Sequence, residues 1–208
     1  MLHEKVSIWI FVALCVTLFA VLTLCVRYGA TQPFDLSLLQ WLSTFKNNRL
    51  DAFFNYVTWF GSLWVLIPLT GGVMAGLYYF KHPSLALFFG SGFLSTVAIT
   101  YLIKYALDRE RPNASHPLFE LPLDPSFPSA HTAQIVAFTL LVWCVMALVS
   151  FPWREPILAL CIVLSLCVAV SRAYLQVHFP TDIIGGVLIA TASVCLSYLV
   201  LKKGDVSL

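Results

Sequence analysis

The chain has 208 residues, of which 60% are hydrophobic and 11% charged, and its mean hydropathy of +0.87 excludes a soluble domain. The net charge of +2 comes from scattered cations, without the basic stripe typical of nucleic-acid binding. Six cysteines fall in apolar segments without the spacing of a metal site, and we interpret them as small hydrophobic residues. We expect a single integral membrane domain over residues 1–208 and no nucleic-acid partner.

Six apolar runs are long enough to cross the ~30 Å hydrocarbon core of a bilayer as helices. They cover residues 7–27, 60–80, 84–106, 129–150, 156–175 and 180–201. The first run is longer than the apolar part of a signal peptide and lacks a small-residue cleavage site, so we expect a retained helix. The sequence therefore predicts an all-α bundle of six transmembrane helices.

Residues 34–59, between the first two runs, mix apolar and polar positions at roughly helical spacing. The apolar positions are Phe34, Leu38, Trp41, Leu42 and Phe45, and the polar ones are Asp35, Gln40, Lys46 and Arg49. This pattern predicts an interfacial amphipathic segment, formed by one helix or by two with a break at Asn47-Asn48.

The longest polar connection covers residues 107–127, and function is expected in such a segment. Its ionisable residues are Asp108, Arg109, Glu110, Arg111, His116, Glu120 and Asp124. Consecutive spans run in opposite directions, so the end of span three, the start of four, the end of five and the start of six share one membrane face. These four ends carry Lys104, Arg111, Ser129, His131, Arg172, His178 and Asp182.

Lys104, Arg111 and Arg172 are cations at the membrane boundary, where ionisable groups are costly unless a function retains them. Three converging cations imply an anionic ligand, and phosphate suits both the planar fork of Arg and the compact charge of Lys. The alternative for each cation is contact with lipid headgroups by snorkelling. That alternative does not explain why the cations share a face with two histidines.

Pro128-Ser129-Ala130-His131 opens the fourth span and places Ser129 near a helix N-cap. Unpaired N–H groups and the positive end of the helix dipole bind phosphate oxygens at such a position. The alternative is that Ser129 only caps its helix. An imidazole such as His131 beside a bound phosphoryl group can protonate the departing oxygen.

His178 and Asp182 are four residues apart, with Pro180 at a plausible first helical position. If Asp182 accepts a hydrogen bond from one ring nitrogen, the other nitrogen is left unprotonated and able to attack phosphorus. The alternative makes Asp182 only a favourable acid in the first turn. A divalent metal held by His131, His178 and Asp182 is disfavoured because three nearby cations would repel it.

Three segments together resemble the signatures of the type 2 phosphatidic acid phosphatase superfamily. They are Lys104 with Arg111-Pro112, then Pro128-Ser129-Ala130-His131, and then Ser171-Arg172 with His178 and Asp182. The signature region covers residues 104–182, and the order and spacing of the three segments match throughout. The resemblance implies a six-helix bacterial membrane phosphatase that needs no metal or cofactor, similar to phosphatidylglycerophosphatases and undecaprenyl diphosphatases.

The resemblance also implies a role for each residue. Lys104, Arg111, Arg172, Ser129 and the amide of Ala130 would hold the phosphoryl oxygens. His178 would be the nucleophile, oriented by Asp182, and His131 would protonate the leaving oxygen. The family usually has Gly where this chain has Ala130, and we expect Ala130 to be helical because a positive φ would be costly for Ala.

The expected reaction is hydrolysis of a lipid phosphate or diphosphate, such as phosphatidic acid, phosphatidylglycerophosphate or undecaprenyl diphosphate, through a phosphohistidine. A phosphotransferase of the same fold and a transporter that binds an anion without turnover are the alternatives. Phe34-Asp35 and Leu50-Asp51 look similar to bacterial members of the superfamily. The amphipathic segment that contains them is a candidate for shaping the lateral entrance of the lipid.

The orientation of the protein in the membrane is predicted from the positions of its Lys and Arg residues, leaving out Lys104, Arg111 and Arg172. The face of the termini carries Lys5, Lys81, Arg154, Lys202 and Lys203, and the site face carries Arg27, Lys46, Arg49 and Arg109. The positive-inside rule then favours cytoplasmic termini, with the site on the periplasmic or extracellular face of a bacterial inner membrane.

Overall fold

The computed structural model describes residues 2–112 and 123–203, and every regular element in these ranges is helical. The helices are α1 Leu2–Arg27, α2 Gln32–Ser43, α3 Asn48–Val57, α4 Leu63–Tyr79, α5 Pro83–Leu107, α6 Ala130–Leu148, α7 Arg154–Tyr174 and α8 Pro180–Lys203. A 3₁₀ turn, Thr58–Gly61, joins α3 to α4. His116 and Glu120 of the polar connection lie outside the described residues.

Five of the helices, α1, α5, α6, α7 and α8, are long and apolar enough to cross a membrane. The run predicted over residues 60–80 corresponds to α4, which has only 17 residues and begins after the extended Ser62. Residues Asn48–Gly61 meet α4 at an angle of 45°, and the bent pair together qualifies as a sixth span. The all-α class is confirmed, with five or six spans in the described part of the chain.

Helix α6 is the centre of the bundle, where it packs against α5, α7 and α8. Large side chains such as Phe89, Phe93 and Leu141 are completely buried around it. Helix α1 contacts α8 and turns most of its apolar side chains outward. Apolar side chains on the outside are what a lipid environment requires, so the chain is an integral membrane protein.

The segment between the first two predicted spans forms two helices, with the break where the sequence places it. The side chain of Asn47 caps α3 by accepting hydrogen bonds from the backbone N–H groups of Arg49 and Leu50, at 3.1 and 3.0 Å. The position of Asp35 differs from the sequence pattern, which groups it with the polar face of the segment. Asp35 is completely buried because its carboxylate has partners on other elements, described below.

Two glycines let α8 approach the start of α6 closely. A Cβ at Gly186 would lie 2.7 Å from the carbonyl oxygen of Ser129, and a Cβ at Gly185 would lie 2.8 Å from the Phe127 ring. The Ser129 N–H donates to the carbonyl oxygen of Asp182 at 2.9 Å across the same contact. The two glycines thus place the Ser129 segment beside the first turn of α8.

We predict that Gly186→Ala lowers stability, because the added methyl group would push against backbone and force α6 and α8 apart, at a cost of about 1 to 3 kcal/mol. The measurement is the apparent melting temperature of the protein in detergent. Gly72→Ala is the matched control, since nothing lies within 4 Å of a Cβ there and Ala favours a helix. Equal melting temperatures for the two variants would contradict the proposed close contact.

Candidate active site

The ends of α5, α6, α7 and α8 meet at one end of the bundle, as the alternation of spans predicts. Lys104 and Arg172 lie in the last turns of α5 and α7, and Asp182 lies in the first turn of α8. Ser129 and Ala130 begin α6 beside them. Four helix ends therefore bring residues from distant parts of the sequence to one site.

Asp124 bridges the two cations of the first signature. Its carboxylate oxygens lie 2.8 Å from Nζ of Lys104 and 2.9 Å from Nη2 of Arg111. Lys104 is completely buried and also donates to the carbonyl oxygen of Pro125. Burial would raise the pKa of Asp124, but the hydrogen bonds and charges of Lys104 and Arg111 hold that pKa below its ordinary value.

The ring of His178 is held from both sides. Its Nε2 lies 3.2 Å from Nη1 of Arg111, and its Nδ1 lies 3.3 Å from Oδ2 of Asp182. A guanidinium can only donate, so Nε2 is the acceptor and the ring proton sits on Nδ1, facing Asp182. This is the tautomer in which Nε2 is unprotonated, as a nucleophile requires.

The pKa of His178 is well below its ordinary value of 6.5. Burial is the main cause, and the charges of Arg172, Arg111 and Lys104 act in the same direction. His178 is only 1% exposed and lies in the short connection between α7 and α8. The imidazole is therefore neutral at physiological pH.

The guanidinium of Arg172 is buried, and only part of its hydrogen-bonding capacity is used. Its Nη1 donates to Oγ1 of Thr58 at 2.6 Å, and Thr58 belongs to the 3₁₀ turn before α4. Its Nε has no hydrogen-bond partner among the described residues. A buried guanidinium N–H without a partner is costly, which makes Nε a candidate donor for a bound ligand.

Ser129, Ala130 and His131 form the opposite wall of the site. Ser129 is the N-cap residue of α6, but its side chain makes no capping hydrogen bond and instead accepts from Oγ1 of Thr132 at 3.1 Å. Ala130 is the first helical residue and is absent from the residues with positive φ, so its predicted helical conformation is confirmed. His131 is partly buried and packs against Gly61.

The sequence model of the PAP2 superfamily matches residues 85–204 of this chain, which include all three signatures. The chain belongs to the PAP2 superfamily. It is a phosphatase of the PAP2 type. Phosphatidylglycerophosphatase B of Bacillus subtilis (strain 168) is 22% identical over 188 residues, covering 89% of this chain and 88% of that protein. Decaprenylphosphoryl-5-phosphoribose phosphatase of Mycobacterium tuberculosis (strain CDC 1551 / Oshkosh) is 32% identical over 128 residues, covering 60% of this chain and 63% of the relative.

Two solved structures share the fold of this PAP2 protein. The transmembrane PAP2 type phosphatidylglycerolphosphate phosphatase from Bacillus subtilis aligns with a TM-score of 0.82 and 22% identity, over 99% of this chain and 100% of that one. Aquifex aeolicus LpxE aligns with a TM-score of 0.61 and 25% identity, over 80% of this chain and 95% of that one. The first alignment shows that the helical arrangement extends over nearly the whole chain.

The sequence analysis did not assign several polar residues to this PAP2 site. Oδ2 of Asp182 accepts from the Phe179 N–H at 2.8 Å and from the Ser126 hydroxyl. Arg109 donates to Oδ1 of the same carboxylate at 2.5 Å and to Oδ2 of Asp35 at 2.8 Å. Arg109 lies inside the first signature and Ser126 lies two residues before the second, which is a weak signal. Nothing in the sequence pairs Asp35 with Asp182.

We predict that the wild-type protein loses stability relative to a His178→Asn variant as pH falls below about 6.5. The unfolded chain binds a proton at His178 there, while the buried ring with its depressed pKa does not, so each pH unit costs the native state about 1.4 kcal/mol. The contribution of His178 to stability is fully present above pH 6.5. It decreases as pH falls, until the pKa of His178 in the native state is reached.

The measurement compares the melting temperatures of the two proteins in detergent from pH 7.5 to 5.0. A difference that stays constant over this range would contradict a depressed pKa at His178. His82→Asn, which replaces the histidine before α5, is the control for histidine loss elsewhere.

Proposed function

We propose that this PAP2 protein hydrolyses a phosphate monoester or diphosphate of a membrane lipid through a phosphohistidine formed at His178, without a metal. One observation carries the proposal. The unprotonated Nε2 of His178 faces Arg111, in a pocket where the charges of Lys104 and Arg172 also act on the ring. A neutral nucleophile among cations is suited to attack an electron-poor phosphorus whose oxygens are held by those cations.

The net charge of the cations and Asp124 matches that of one phosphoryl group. Lys104, Arg111 and Arg172 supply three positive charges and Asp124 supplies one negative charge. These four groups therefore carry a net charge of +2, which a phosphoryl dianion would balance. The unpartnered Nε of Arg172 and the first N–H groups of α6 would donate to its oxygens. Ser129 and Ala130 contribute to the cradle from that helix end.

The reaction would proceed in two steps. Nε2 of His178 would form a bond to phosphorus while the bond to the leaving oxygen breaks, and His131 would give that oxygen a proton. Water would then attack the phosphohistidine, with His131 taking back a proton, so that inorganic phosphate leaves and His178 is restored. Asp182 would stabilise the positive charge that develops on the imidazole during the first step.

The names of the relatives support a phosphate group carried on a membrane lipid. One relative is named for phosphatidylglycerophosphate and the other for a decaprenylphosphoryl phosphoribose. We place phosphatidic acid, phosphatidylglycerophosphate and undecaprenyl diphosphate among the substrates to test. We also place the protein in a bacterial inner membrane. The cation count favours cytoplasmic termini, with the site on the opposite face.

We expect the purified protein to release inorganic phosphate from at least one of these lipids in the presence of EDTA. His178→Ala should abolish release, because no other group replaces the nucleophile, and His131→Ala should slow it about 10²- to 10⁴-fold. His82→Ala is the matched control, at the opposite end of the bundle.

Two results would contradict this proposal. The first is loss of turnover on chelation, and the second is full turnover by His178→Ala. Rapid quenching with a radiolabelled substrate should trap a phosphohistidine in the wild-type protein and none in His178→Ala. Transfer of the label to an added lipid or sugar alcohol instead of water would make the protein a phosphotransferase.

Arg172→Lys should weaken substrate binding by about 10- to 100-fold in KM, because one ammonium group cannot replace both the Thr58 contact and the Nε donor. The measurement is steady-state phosphate release at saturating and limiting lipid. Arg49→Lys, an exposed residue in α3, is the control. An unchanged KM in Arg172→Lys would contradict the proposal that Arg172 binds the phosphoryl oxygens.

A further inference from the structure

Arg109 lies between two buried carboxylates that the sequence does not connect. Its Nη1 donates to Oδ1 of Asp182 at 2.5 Å, and its Nη2 donates to Oδ2 of Asp35 at 2.8 Å. Both acids are completely buried, while the Arg109 side chain is 16% exposed. One planar guanidinium therefore bridges the first turn of α2 and the first turn of α8.

Thr181 closes the same network. Its backbone N–H and its hydroxyl donate to the two oxygens of Asp35 at 3.0 and 2.7 Å, and its hydroxyl accepts from Nη1 of Arg109 at 2.8 Å. The guanidinium carbon of Arg109 also lies 4.2 Å from the centre of the Phe179 ring. Arg109 thus contacts three residues of the turn that carries His178 and Asp182.

The bridge fixes the plane of the Asp182 carboxylate relative to the His178 ring. Arg109 occupies Oδ1, so Oδ2 is directed toward Nδ1 of His178, the Phe179 N–H and the Ser126 hydroxyl. Without Arg109 the carboxylate loses its charged partner on Oδ1, and only the contacts on Oδ2 restrain its rotation about χ2. Asp35 fixes Arg109 in turn, because its buried carboxylate has Arg109 and Thr181 as its hydrogen-bond partners.

We propose that Arg109 and Asp35 are positioning residues, which hold the carboxylate of Asp182 in the orientation that keeps Nε2 of His178 unprotonated and aimed at phosphorus. The inference rests on the proposed function and deepens it. Arg109 acts through Asp182, in contrast to the cations that hold phosphate. Its loss should therefore lower kcat and leave KM nearly unchanged.

The first test measures phosphate release by the full-length protein in detergent, with short-chain phosphatidic acid as the probe. Arg109→Gln should lower kcat about 100-fold with KM within about 3-fold, since a misplaced catalytic group costs about that much. Arg109→Lys should recover only part of this, because one ammonium group cannot bridge two carboxylates as the Arg fork does. Arg49→Gln, at an exposed cation of α3, should match the wild type.

The same assay decides between positioning and substrate binding. A rise in KM, and in the inhibition constant for vanadate, with unchanged kcat in Arg109→Gln would make Arg109 a phosphate-binding cation and overturn the proposal. A kcat equal to that of the wild type would overturn it as well. A wild-type protein that releases no phosphate from any lipid tested would instead overturn the proposed function.

The second test measures melting temperature and does not depend on activity. Arg109→Gln leaves two buried carboxylates without their cation and should lower the melting temperature by about 5 to 10 °C. Adding Asp35→Asn removes one of these charges, so the double variant should melt at or above the single variant while its kcat stays low. Strictly additive losses in melting temperature would contradict the bridge.

Thr181→Val provides a milder variant in case Arg109→Gln does not fold. It removes the hydroxyl that links Arg109 to Asp35 and keeps the size of the side chain. We expect kcat to fall about 3- to 10-fold with KM unchanged. Thr191→Val is its control, since Thr191 is partly exposed on the same helix and its hydroxyl donates back to the Val187 carbonyl. Equal kcat in Thr181→Val and Thr191→Val would overturn the proposal.

Discussion

Charge compensation inside an apolar bundle is the constraint on which this structure depends. Lys104, Arg172, Asp35 and Asp182 are all buried, and an isolated charge in such surroundings is costly. The first signature is compensated by Asp124, which contacts both Lys104 and Arg111. The carboxylate of Asp182 is compensated by Arg109, which Asp35 holds in place. Arg172 has a hydroxyl partner in Thr58 and leaves one N–H for a ligand.

This pattern of compensation separates two groups of cations with different chemical roles. Lys104, Arg111 and Arg172 lie around His178, and one acid, Asp124, offsets part of their charge, so an anion would complete the balance. Arg109 lies between two acids and is already neutralised. The first group suits recognition of phosphate, while Arg109 suits the fixing of a carboxylate, and the difference follows from the number of acids around each cation.

Helix packing gives the site its geometry. The close contact at Gly185 and Gly186 brings the Ser129 segment against the first turn of α8, and Ser129 and Asp182 are joined there by a backbone hydrogen bond. Thr58 reaches Arg172 from the turn at which α3 and α4 meet at 45°. A site made of helix ends is therefore sensitive to small shifts between helices, since each wall belongs to a different one.

The sequence by itself determined the all-α class, the approximate positions of most spans, the break before α3 and the grouping of the signature residues. These features depend on local hydrophobicity, on capping and on the alternation of spans, all of which can be derived from residue order. Only the tertiary structure decided that Asp35 is buried, that Arg109 pairs with Asp182, and that Thr58, Asp124 and Ser126 join the site. Those contacts connect residues on separate elements, and a buried charge takes its partner from the packing of helices, which local sequence patterns do not specify.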